Sequence, residues 1–196
     1  MIYLALHGET VWNQQHRFQG RLDSPLTANG ANQALLVGNK LRQLIDDPAG
    51  CIVMSSPLGR TMHTARTICD VIGIEPEQIK QDDRLIEIDL GSWSGLTRAE
   101  VEAKWPDAIS GASRYDRYFR YLDGESLEAV TARIRSWLDE VKNLSHPVIA
   151  ITHGIASQIL RGLYADIPME DAISLEIARD KIFLLHKKRI DRISCS

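Results

Sequence analysis

The chain has 196 residues, 44% of them hydrophobic and 25% charged, with 23 basic and 26 acidic side chains and a net charge of −3. That is ordinary globular usage, long enough to bury a core. It excludes a disordered chain, a fibrous repeat and a protein that grips nucleic acid through excess positive charge. Three widely spaced cysteines, Cys51, Cys69 and Cys195, form no paired metal-ligand spacing and read as thiols of a reducing compartment. The opening run Met1–Leu6 has no basic leader and is too short to span a membrane, so the expectation is one cytoplasmic domain over residues 1–196.

In chain order, Ile2–Leu6 is a short apolar run that ends at His7-Gly8-Glu9-Thr10, and it reads as a buried strand. From Thr27, a plausible N-cap, Ala31, Ala34, Leu35, Leu41, Leu44 and Ile45 recur at helical spacing. Cys51–Met54 is a second strand, stopped by Ser55-Ser56-Pro57, and a helix follows over Thr61–Ile72. Leu85–Ile88 is strand-like, with Glu87 inside it. Residues 105–123 break the pattern with Pro106, Gly111 and a run of arginines and tyrosines, and read as an inserted lid. Ser126 caps a helix whose Leu127, Val130, Ile134, Leu138 and Val141 keep the i, i+3, i+4 rhythm. Pro147–Ile151 is a third buried strand, ending at Thr152-His153-Gly154, and Ile155–Tyr164 a further helix. Ser174–Ile177 and Lys181–Leu185 read as a hairpin turning at Arg179-Asp180.

Strands alternating with helices predict a three-layer α/β/α sandwich with a mostly parallel central sheet and an antiparallel edge strand. In such sheets ligands bind beyond the carboxyl ends of the strands, so the polar clusters after the three apolar runs are expected to converge. His7 and His153 would then face one site, each followed by a glycine (Gly8, Gly154) that lets backbone approach a ligand. Arg60, at the start of a helix, combines a two-pronged cationic donor with the anion preference of a helix N-terminus. A carboxyl buried in an apolar run, as Glu87 would be, can donate a proton. Together these parts suit phosphoryl transfer, with a neutral imidazole attacking phosphorus among positive donors. A metal site built from His7, Glu9, Glu87 and His153 is a weaker fit, because the arginine and the helix N-terminus favour an anion. No metal or other cofactor is called for.

The same residues resemble the histidine phosphatase superfamily, the phosphoglycerate mutase-like proteins. The resemblance runs through His7-Gly8-Glu9-Thr10 with Trp12-Asn13, Gln19-Gly20, Asp23-Ser24-Pro25-Leu26-Thr27 with Gly30, and Ser55-Ser56-Pro57-Leu58-Gly59-Arg60-Thr61 with Thr64-Ala65. It continues through Leu85-Ile86-Glu87 with Gly91, Trp93 and Gly95, Gly124-Glu125-Ser126 and Thr152-His153-Gly154. It implies His7 as the phosphorylated nucleophile, Glu87 as proton donor, Arg60 and His153 as phosphate holders, and Asn13, Gln19, Gly20 and Gly154 as pocket lining. It implies metal-independent hydrolysis of a small phosphorylated metabolite, as in the family's shorter members such as α-ribazole phosphatase. Mutase-type transfer, and a silent homologue that only binds the phosphate ligand, are the alternatives. Neither nucleic acid nor membrane is an expected partner, and nothing specifies an oligomeric state.

One departure stands out. The family places an arginine before the nucleophilic histidine, where this chain has Leu6. A hydrogen bond to a charged group contributes roughly 1.5–3 kcal/mol, so its loss at the pocket floor should slow turnover by about tenfold to over a hundredfold. On sequence alone Leu6→Arg should raise phosphatase activity at least about tenfold, with Arg17 and Arg21 as partial substitutes.

Overall fold

A computed structural model describes residues 1–109, 111–119 and 123–195. Its six strands are β1 (Ile2–Leu6), β2 (Ile52–Ser55), β3 (Lys80–Gln81), β4 (Val148–Thr152), β5 (Lys181–His186) and β6 (Arg189–Ser194). They form one sheet in the order β3-β2-β4-β1-β5-β6. The first four run parallel, β5 is antiparallel to β1, and β6 is antiparallel to β5. The expected mostly parallel sheet is present, with its antiparallel strands gathered at one edge.

The helices are α1 (Val11–Gln14), α2 (Ala28–Leu44), α3 (Gly59–Ile72), α4 (Arg98–Lys104), α5 (Pro106–Ile109), α6 (Arg114–Phe119), α7 (Leu127–Val141), α8 (Gly154–Tyr164) and α9 (Met169–Ala172). Central strands read as unbroken apolar runs because both their faces are covered. Ile2 and Leu4 of β1, with Val148 and Ala150 of β4, pack with α7 and α8 around the buried Trp137. The alternate residues Tyr3, Ala5, Ile149 and Ile151 pack with α2 and α3 around Leu41 and Ile68. Thr27 caps α2 and Ser126 caps α7, each hydroxyl accepting from the N–H three residues on.

Two expected elements differ. Ser174–Ile177 is not a strand, because side chains of α8 take its carbonyls: Gln158 donates to Leu175 O, and Arg161 donates to Glu176 O at 2.7 Å. The hairpin is β5–β6, turning at Lys187-Lys188, both with positive φ (49° and 61°), as a two-residue hairpin turn requires. Leu85–Ile88 is likewise no strand but follows a short 3₁₀ turn (Asp83–Leu85). Arg133 donates to the carbonyls of Arg84 and Ile86, both at 2.8 Å, and the Thr152 hydroxyl donates to Leu85 O at 2.7 Å. These groups satisfy the backbone that a ladder otherwise would.

Within the stretch expected as a lid, α5 and α6 are packed against the α7–α8 core, with Ala108, Ile109 and Tyr118 buried. Arg120 and Tyr121 of that stretch lie outside the described residues.

The end of β1 is held against the start of α2 by backbone contact. A Cβ on Gly8 would come 2.1 Å from the Gly30 carbonyl oxygen, and one on Gly30 would come 2.0 Å from that of Glu9. Neither backbone can give way cheaply. Gly8→Ala is therefore expected to destabilise the fold by about 1–3 kcal/mol, read from urea unfolding; an unchanged midpoint would show that the two segments can part.

Candidate active site

The C-terminal ends of β1, β2 and β4 deliver His7, Ser56 and His153 to one place. The His7 and His153 rings lie 5.3 Å apart, centre to centre, both buried. His7 Nδ1 lies 2.7 Å from the carbonyl oxygen of Gly8. A carbonyl can only accept, so Nδ1 carries the hydrogen and Nε2 is left with a free lone pair.

His153 takes the opposite tautomer. Arg60 Nε donates to its Nδ1 at 3.2 Å, so its proton is on Nε2, which donates to Ser56 Oγ at 2.7 Å. Both its ring nitrogens are thus engaged within the protein, and it sits behind His7 and Arg60 rather than on the cavity wall. Arg60, buried to 2% exposure, also donates from Nη1 to Leu22 O (2.6 Å) and Asp23 (2.9 Å), and from Nη2 to Gly20 O (2.7 Å).

The sequence places an anion at the start of α3, and the anion found there is the protein's own. Asp23 Oδ1 accepts from the Arg60 backbone N–H at 3.4 Å as well as from its guanidinium. The start of α8 is filled the same way by Glu87. Its Oε2 accepts from the N–H of Ile155 (3.1 Å), and its Oε1 from those of Ala156 (2.9 Å) and Ile88 (3.0 Å). Oε1 takes two bonds and Oε2 one, which leaves Oε2 the atom with room for a proton.

A cavity of about 160 Å³ is lined by His7, Arg60 and Glu87 together with Asn13, Gln19, Gly20 and Gly154. Gln19 is fixed by donating to Thr10 Oγ1 (2.9 Å) and accepting from Ser24 (3.3 Å), and Asn13 accepts from the Thr10 N–H (3.0 Å) in a capping box. Leu6 is buried and is not among the lining residues, so it forms no part of the pocket wall. Arg17 lies at the rim, donating to Gly95 O (2.9 Å) and Glu100 (3.3 Å), whereas Arg21 pairs with Glu125 (3.3 Å) and does not line the cavity.

Residues of the expected lid, Arg114 and Tyr118, line the cavity too, as do Ile177 and Arg179. Sequence reasoning missed the last two because the segment was taken for a strand and its turn. The signal for correcting it lies in α8, whose buried Gln158 and Arg161 need acceptors nearby.

Burial, then the charges of Arg60 and Arg179, hold the His7 imidazole well below its ordinary pKa of 6.5. Burial, Arg60 and His7 do the same to His153. Both rings are therefore neutral at physiological pH.

These features match the chain to known proteins. It matches the histidine phosphatase superfamily (branch 1) over residues 2–188, and it belongs to that superfamily of enzymes, as the motifs imply. It is 33% identical over 166 residues to phosphoserine phosphatase 1 of Hydrogenobacter thermophilus, covering 83% of this chain and 74% of the relative. It is 37% identical over 163 residues to a probable phosphoglycerate mutase, GpmB, of Salmonella arizonae, covering 79% and 70%. Among solved structures it is similar to a mycobacterial glucosyl-3-phosphoglycerate phosphatase in complex with VO3, at 26% identity and a TM-score of 0.82, covering 100% of this chain and 99% of the other.

The imidazoles set a sign for pH dependence. Below pH 6.5 the unfolded chain takes up protons at His7 and His153 that the folded one refuses. Folding stability is therefore full above pH 6.5 and falls as the pH drops below it. Ring ¹⁵N shifts should show both histidines neutral from pH 8 down to 6.5, with urea stability declining only below that; protonation of either ring above 6.5 would contradict the burial argument.

Proposed function

We propose that the cavity is the active site of a phosphomonoester hydrolase working through a phosphohistidine on His7, with a small phosphorylated metabolite as substrate. The observation that carries this reading is the His7 Nδ1–H bond to Gly8 O. It fixes the one tautomer that presents a bare nucleophile, Nε2, to a cavity walled by guanidinium groups.

In the first step Nε2 forms a bond to phosphorus while the P–O bond to the alcohol breaks, and Glu87 Oε2 gives its proton to the leaving oxygen. In the second, Glu87 takes a proton from water, whose oxygen bonds to phosphorus as the N–P bond breaks, releasing phosphate and the starting imidazole. Negative charge on the phosphoryl oxygens is met by arginine, so the scheme calls for no metal. His153 acts as a positioning residue, holding Arg60 Nε and the face of His7. Asn13, Gln19, Gly20 and Gly154 shape the wall, and α6 adds Arg114 and Tyr118 to it. Cytoplasm is the compartment this reading assigns, consistent with three free thiols and with no helix among the described residues long and apolar enough to cross a membrane.

Alkaline trapping after mixing with a labelled phosphomonoester should give an acid-labile, alkali-stable phosphoprotein that His7→Ala abolishes without unfolding the chain. No trapped species and no turnover in the wild type would leave a silent binding protein. Turnover of 3-phosphoglycerate that needs a bisphosphorylated primer would instead mark a mutase. Glu87→Gln should slow alkyl phosphates at least about tenfold more than p-nitrophenyl phosphate, whose leaving group hardly needs a proton. Equal losses on both would remove Glu87 from the acid role.

A further inference from the structure

We propose that Arg179 is the phosphate-gripping cation of this cavity, supplying from the far end of the chain the charge that position 6 does not. The proposal rests on the reading of the cavity as a phosphomonoester site.

Arg60 is nearly saturated. Four of its five N–H groups are taken, by His153 Nδ1, Leu22 O, Asp23 Oδ1 and Gly20 O, which leaves one for a ligand. A phosphoryl group offers three oxygens around which charge must be matched, so a single free N–H is a poor complement. Arg17 is committed to Gly95 O and Glu100 at the rim. Leu6 contributes no charge and no wall.

Arg179 is in the opposite condition. It lines the same cavity as His7, Arg60 and Glu87, and its Nε is cut off from solvent with no hydrogen-bond partner. It forms no ion pair among the described residues. A half-buried guanidinium whose Nε–H is unsatisfied and shut off from water is costly, and an anion entering the cavity would remove that cost. Its charge is felt at the His7 ring: beyond burial, Arg60 and Arg179 both push His7 away from protonation, while burial outweighs Glu9 and Glu87 and holds the Arg179 guanidinium below its ordinary pKa. Arg114, the remaining cation on the wall, is engaged with the Tyr118 hydroxyl.

The arginine is also held in place. Gln158 and Arg161 of α8 bind the carbonyls of Leu175 and Glu176, the Arg161 guanidinium stacks 3.9 Å from the Phe183 ring centre, and Ile177 packs where a Cβ on Gly154 would come within 3.1 Å. The segment is thereby docked on the helix whose first turn binds Glu87. A donor fork on such a mount reaches the phosphoryl oxygens without first ordering a loop.

The test compares wild type, Arg179→Gln, Arg179→Lys, Leu6→Arg and the double variant, each checked for folding by circular dichroism and melting. Two readouts are taken: kcat/KM on p-nitrophenyl phosphate, and competitive inhibition by orthovanadate. Arg179→Gln should lose at least about tenfold in both, and Arg179→Lys less, because a point charge keeps attraction but not the fork. Leu6→Arg should change wild type by less than about threefold and leave most of the Arg179→Gln loss in place in the double variant, since residue 6 does not line the cavity. A folded Arg179→Gln within about threefold of wild type on both readouts would overturn the assignment and leave the hydrolase reading standing. A gain of about tenfold from Leu6→Arg with Arg179 in place would overturn it as well, because the site would still lack a cation. A wild type that neither turns over nor binds orthovanadate would overturn the hydrolase reading, and this assignment with it.

Discussion

The cavity wall at one end of this sheet carries Arg17, Arg60, Arg114 and Arg179 against a single carboxylate among the described residues, Glu87, and the rest of the site follows from that imbalance. Arg60 and Arg179 stay protonated in almost any surroundings, so the groups able to yield are the two imidazoles beside them. Repulsion and burial keep both neutral. The arrangement that makes the cavity receptive to an anion therefore also keeps His7 in its nucleophilic form. Charge in such a pocket acts through a lower dielectric than water, which strengthens attraction for a phosphoryl group and repulsion between the protein's own cations alike.

The sheet creates this imbalance by where its strands end. β1, β2 and β4 run parallel and stop together, so residues roughly fifty and one hundred positions apart meet without long loops. Helix N-termini also meet there, but both at the site are occupied by the protein's own carboxylates, Asp23 at α3 and Glu87 at α8. Helix dipoles thus serve to anchor two acids, one orienting Arg60 and the other held on the cavity wall beside it. Recognition of the ligand's charge falls to guanidinium side chains. This division explains why the backbone here is so tightly specified, down to the contact of Gly8 with Gly30 that no side chain would permit.

Much of this was legible in the residues. The three apolar runs, their polar endings and the helical rhythms between them lead directly to the sheet, and to His7, Arg60, Glu87 and His153 at its edge, because buried strands and amphipathic helices carry strong periodic signals. What periodicity cannot show is backbone satisfied by side chains. Leu85–Ile88 and Ser174–Ile177 both look like strands by composition. Both are instead irregular segments whose carbonyls are claimed by Arg133, Thr152, Gln158 and Arg161 from other elements. Tautomers were equally out of reach, since the role of His153 depends on Ser56 and Arg60 meeting it from two sides. Arg179 went unread because its segment was given a turn that belongs to Lys187-Lys188.

The segment that escaped the sequence reading is also the one able to relocate a binding function. A dianion asks for N–H groups at its oxygens and is indifferent to the part of the chain that brings them. A strand-end position such as residue 6 offers rigidity from the sheet, while an irregular segment normally offers little. Here the deficit is made up by α8, which clamps the carbonyls of residues 175 and 176 and so lends the loop the stiffness of a helix. Exchanging an arginine next to the nucleophile for a buried leucine then removes a polar group from a crowded strand end, where any unpaired donor is expensive. The cation arrives instead from a side on which it has no competing partner. On the reading proposed above, the cavity draws its cation from residue 179 and not from residue 6, and the requirement it meets is electrostatic rather than positional.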